Sequence, residues 1–151
     1  MNKKLQLEIL WLIGTIILAS LVLLPIYQNE KGFQFYSYNV VFIIVFISFT
    51  RYIFLLRHSF LEKQKWPKGI LFFLCIPIFF LLLEGLFSFQ TYLDEHGMYE
   101  IYEHLSFQTQ KSMGTYTRNE MIFFGVGSLM VTVILPIRLL ISHWRDINIK
   151  E

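Results

Sequence analysis

Two ionisable side chains, Glu84 and Arg51, stand inside apolar runs of this sequence, and four more, His96, Glu100, Glu103 and His104, share one face of a short periodic segment. A carboxylate in hydrocarbon is costly, so it marks an ion or proton path, a cationic partner, or contact with another subunit. Counted at 1.5 Å per residue from Gly69, Glu84 lies about 22 Å along its run. That places it in the outer half of a bilayer, where Arg118 or a tyrosine is the expected structural partner. Arg51 lies about 9 Å from Arg57 by the same rise, and its guanidinium is expected to reach the inner headgroups. Its estimated depth differs from that of Glu84 by about 13 Å, so the two are not expected to pair.

The face carrying His96, Glu100, Glu103 and His104 offers imidazoles and carboxylates of the kind zinc accepts. Residues 100 to 104, however, read Glu-Ile-Tyr-Glu-His, which is neither H-E-x-x-H nor H-x-x-E-H. No metal is expected there, and the face is read as a candidate docking surface for a partner. A haem between helices needs axial histidines within the spans, whereas His58 and His143 fall just beyond them. The single cysteine, Cys75, leaves no internal disulfide, CxxC pair or four-thiolate zinc site. Neither a G-x-S-x-G elbow nor a phosphate-binding glycine loop is present. No catalytic residue and no cofactor are expected, and the chain is read as non-enzymatic.

The elements that must position these residues follow from composition. Of 151 residues, 55% are hydrophobic and only 16% charged, with a mean hydropathy of +0.52, against about 25% charged in an average soluble domain. A net charge of +2 is too small for a nucleic-acid binder that neutralises phosphates. Four apolar stretches, at about 9–29, 39–56, 69–89 and 121–142, each have the length of a membrane helix. The expected fold class is an all-α membrane protein, with residues 1–151 forming a single four-helix transmembrane domain. The first run continues past Ala19-Ser20 to Pro25, too long for a signal-peptide core, and is expected to remain as a helix.

Basic residues set the orientation. Ten of the thirteen, Lys3, Lys4, Arg51, Arg57, Lys63, Lys65, Lys68, Arg138, Arg145 and Lys150, fall on one side of the threading, leaving Lys31, Lys111 and Arg118 on the other. Trp11, Trp66 and Trp144 lie near the basic boundary. The expected topology is N-in/C-in, with both termini cytoplasmic, most simply in a bacterial cytoplasmic (inner) membrane.

The outer loop over about 90–119 is the long one. Within it Met98, Ile101, Tyr102 and Leu105 follow helical spacing, predicting a short amphipathic helix. The first outer turn is aromatic, with Phe33, Phe35, Tyr36 and Tyr38 expected in the outer interface. Small residues, which let membrane helices approach closely, are few. Gly14 and Ala19 on span one, with Gly125 and Ser128 on span four, are the candidate packing positions. Small size, bulky spans and an acidic outer loop point to a non-enzymatic accessory or scaffold subunit, with lipid and other membrane subunits or its own copies as partners. The alternative is a small oligomeric carrier or channel with Glu84 as its ionisable site.

Overall fold

Long apolar segments satisfy their own backbone groups in lipid only by coiling into helices. The computed structural model, which describes residues 3–148, contains four: α1 (Lys3–Asn29), α2 (Tyr36–Leu55), α3 (Lys65–Glu95) and α4 (Phe107–Asn148). Short 3-10 turns at Leu56–His58 and Phe60–Lys63 join α2 to α3, and another at Glu100–Tyr102 lies between α3 and α4. No strand occurs among the described residues. All four helices are long and apolar enough to cross a membrane, so the chain is a multi-pass integral membrane protein. Lys150, counted with the basic side, lies outside the described residues.

The helices exceed the stretches read from hydropathy. α3 continues to Glu95 and α4 begins at Phe107, so the loop expected over 90–119 contracts to residues 96–106. Two local signals fix those ends. Gly97 adopts φ +76 and its N–H bonds Leu93 O at 3.1 Å, a left-handed helix stop that suits glycine. Ser106 stands just before α4, its carbonyl accepting from Gln110 N–H at 2.8 Å and its hydroxyl 2.8 Å from Thr109 Oγ1. The eight residues between these signals would make only about two turns of α-helix, a length that is marginal by itself. The amphipathic helix expected over 98–105 is therefore a single 3-10 turn, with Met98 and Tyr102 buried against the bundle.

α4 packs along both α2 and α3, while α1 lies mainly against α2. Close approach is set by glycine. A Cβ on Gly125 would stand 2.9 Å from Leu86 Cδ1 and 3.2 Å from Phe42 Cε2, and the Tyr38 ring closes directly over Gly85. Ser128 is buried beside this notch and donates to Gly125 O at 2.8 Å. The α4 notch thus takes side chains from α2 and α3. A Cβ on Gly14 of α1 would meet nothing within 4 Å, whereas Ala19 is buried with Leu23 and Ile26.

Phe33 and Phe35, expected in the interface, instead fold under the α1–α2 turn and are buried. Phe35 meets Phe89 and Tyr92 edge-on, each at 5.4 Å between centroids. Aromatic pairs of this geometry are favourable, and they plug the bundle beneath the α1–α2 turn.

Candidate functional site

The end of the bundle that carries the α1–α2 turn and the α3–α4 loop, the outer end in the expected topology, holds a buried polar cluster. Asn39, in the first turn of α2, and Glu120 and Thr117, one turn apart on α4, meet beneath Tyr102 of the 3-10 turn. Asn39, Thr117 and Tyr102 are fully buried and Glu120 is 7% exposed. Asn39 Nδ2 donates to Glu120 Oε2 at 2.7 Å, and Tyr102 Oη lies 2.7 Å from Thr117 Oγ1. Asn39 Oδ1 and Glu120 Oε1 have no hydrogen-bond partner among the described residues, although both are buried. Burial pushes the Tyr102 phenol up from its usual range; the Thr117 hydrogen bond opposes this, and the charges of Glu30 and Glu120 add to it.

Asn39, Thr117 and Glu120 were not candidate site residues in the sequence. Glu120 precedes the apolar run and reads as one more acid of an outer loop. The signal that finds it is packing period. Met113, Thr117, Met121, Gly125, Ser128, Thr132, Leu135 and Leu139 recur at three or four residues along α4 and are all buried. That stripe crosses the hydropathy boundary at Met121 without a break and carries Glu120 inward beside it.

Glu84 occupies the opposite kind of position. Its side chain is exposed on the outward face of α3, in the middle of an apolar helix. Phe80 and Phe87, four residues before and three after it, are 63% and 69% exposed on the same face, while Leu82 and Leu86 point into the core. No hydrogen bond or ion pair to Glu84 occurs among the described residues. Arg118, its expected partner, instead lines a cleft of about 460 Å³ between the C-terminal part of α3 and the N-terminal part of α4, together with Gln90, Asp94 and Tyr99.

Arg51 has a protein partner. Its Nη1 lies 2.6 Å from Glu8 Oε2, and its guanidinium stacks 5.6 Å above the Trp11 ring and 5.3 Å above Tyr52. Glu8 also accepts from Phe60 N–H at 3.0 Å and from the Tyr52 hydroxyl at 3.4 Å. The pair forms because α1 is already helical at Glu8 and packs beside α2 there. Nearby, Lys4 pairs with Glu62, and buried Lys68 donates to Glu62 O at 2.6 Å and to Ser142 Oγ at 3.1 Å. Arg138 Nε donates to Ile53 O at 3.0 Å. This end of the molecule is stitched by cations to elements from all four helices.

The four residues of the expected docking face, His96, Glu100, Glu103 and His104, are not gathered together. His96 stacks on Tyr92 at 4.8 Å, whereas His104 turns to α1, with Nε2 2.8 Å from Asn29 O and Nδ1 3.7 Å from Glu30. Glu100 and Glu103 are exposed. His104 therefore ties the loop to the C-terminal end of α1, where a polar or cationic group complements the unpaired carbonyls.

Comparison with protein-family models, with curated proteins and with solved structures finds no match to this chain. Its own side chains are the ground for a functional reading.

Proposed function

We propose that this protein is a non-enzymatic accessory or scaffold subunit of a larger membrane assembly, docked through the outward face of α3. The observation that carries the reading is Glu84, an exposed side chain without a partner among the described residues, set between exposed phenylalanines in mid-helix. An acidic side chain facing hydrocarbon costs about 3 kcal/mol on insertion scales at the bilayer centre, and less toward the boundary, on whose side of the centre the helical rise puts Glu84. A neighbouring subunit that supplies a cation or hydrogen-bond donors removes that cost, and Phe73, Phe80 and Phe87 supply apolar ridges on either side of the contact. The same carboxylate supports the alternative of a small oligomeric carrier, in which copies of the chain close around α3 and enclose Glu84. The balance of basic residues supports cytoplasmic termini, and a bacterial cytoplasmic membrane is the simplest setting for that threading.

Extraction in mild detergent through a tag on the C-terminus, followed by native mass measurement, tests the reading. Foreign subunits in fixed ratio are expected, and Glu84→Leu is expected to release them while leaving the bundle folded. Recovery of the wild type as a lone 18.1 kDa chain would overturn it. A homo-oligomer whose flux disappears in Glu84→Gln would favour the carrier.

A further inference from the structure

The two unpartnered oxygens at the outer end belong to the same pair of side chains, and they lack the same thing. Asn39 already donates through Nδ2 to Glu120 Oε2 at 2.7 Å. What is left over is one amide oxygen, Asn39 Oδ1, and one carboxyl oxygen, Glu120 Oε1, both buried without a donor. Native proteins satisfy nearly all such groups, and each exception calls for an explanation. A carboxylate is an acceptor only, so no arrangement of an ionised Glu120 can satisfy Asn39 Oδ1. A protonated carboxyl has one O–H donor. Placed on Glu120 Oε1 and directed to Asn39 Oδ1, it completes a two-bond acid–amide ring and satisfies both oxygens at once.

We propose that Asn39 and Glu120 form a proton-binding site, in which the proton resides on Glu120 Oε1 and is shared with Asn39 Oδ1, joining α2 to α4 at the outer end of the bundle. The proton comes from water and returns to it, with formation and loss of one O–H bond and no other chemistry. The surroundings favour this occupant over a metal cation. Two oxygens fall well short of the six or more that hard cations collect, and the adjacent Thr117 hydroxyl is already engaged with Tyr102. Nor is Glu120 in an ion pair among the described residues. The titratable groups around it are Tyr102 from the 3-10 turn, Tyr116 from its own helix, and Glu30 from the α1–α2 turn acting through Tyr102. α3 brings Leu82, Leu86 and Phe89 to the same core. No lysine or arginine stands among these groups to hold a carboxylate ionised. The site is independent of the reading placed on Glu84.

Infrared spectroscopy of the full chain in lipid vesicles at neutral pH tests the proposal. Because a neutral Glu84 in lipid would absorb in the same region, the parent for comparison is Glu84→Gln. It is expected to show a protonated-carboxyl stretch that disappears when Glu120→Gln is added, and that moves to higher frequency when Asn39→Leu is added instead. If a variant fails to fold, solid-state NMR of the unmutated chain reads the same state from the glutamate carboxyl carbon coupled to the Asn39 side-chain nitrogen. A protonated carbon shift supports the site. An ionised shift, or no infrared band lost with Glu120, overturns it and leaves bound water or a monovalent cation to satisfy the two oxygens.

Discussion

Replacing Arg51 with leucine tests how much its ion pair with Glu8 contributes to fastening α1 to the bundle. The guanidinium and the Glu8 carboxylate are 2.6 Å apart, with side chains only 10% and 18% exposed. Removing one partner of a fully buried pair costs about 3–5 kcal/mol, because the other charge is left uncompensated; an exposed pair is worth about 0–1 kcal/mol. Glu8 would keep the Phe60 N–H and the Tyr52 hydroxyl, which offsets part of the loss. The stacking of Arg51 on Trp11 and Tyr52 adds about 0.5–1 kcal/mol. The expected cost of Arg51→Leu is then about 2–3 kcal/mol, between the buried and exposed limits. Glu8→Leu in the same chain should recover most of it, giving a coupling of about 2 kcal/mol in a double-mutant cycle. Reversible unfolding in bicelles, read by helix content or steric trapping, measures all four corners of that cycle. A coupling below about 0.5 kcal/mol, the level of an exposed pair, would refute the reasoning and mean that Arg51 spends its charge on lipid headgroups.

Two further outcomes are accessible to the same unfolding assay. Gly125→Ala should destabilise by about 1–3 kcal/mol, the usual range for overpacking, because its Cβ would meet Leu86 and Phe42 at 2.9 and 3.2 Å. Gly14→Ala should be neutral or gain up to about 1 kcal/mol from helix propensity, and equal effects at the two sites would contradict this packing. Tyr102→Phe removes the bond to Thr117 and should cost about 1 kcal/mol at neutral pH. Since burial raises the folded phenol, the wild type should keep this contribution below about pH 10, the ordinary tyrosine value. It should lose that contribution as pH rises through the higher folded value, where the unfolded chain ionises more readily. Thermal unfolding against pH should show this alkaline loss reduced in Tyr102→Phe, and an identical slope in both proteins would count against a buried phenol.

The four helices were legible in the sequence because hydrocarbon imposes a one-dimensional rule: an apolar run of sufficient length, whatever it touches, must coil. The same rule misjudged where α3 and α4 end. Lys111, Arg118 and Glu120 lower local hydropathy, but α4 is held there by the buried positions Met113, Thr117 and Met121, which spacing reveals and average hydropathy hides. The helix stop at Gly97 and the start at Ser106 were also written in the chain. They outranked the amphipathic pattern between them, which survives as the inward face of Met98 and Tyr102.

Which way each ionisable side chain points is a different kind of fact. Glu84 and Glu120 both border or interrupt apolar sequence, yet one faces outward and the other is sealed against Asn39, a residue 81 positions away. Arg51 finds Glu8 across 43 positions. Chain position sets how far along a helix a residue lies, through the constant rise per residue. Rotation of that helix about its axis depends on which faces interlock with its neighbours, here on α2 and α3 side chains filling the notch at Gly125. Position along each helix was therefore available from the chain alone, whereas partner and exposure were decided only when the four helices packed.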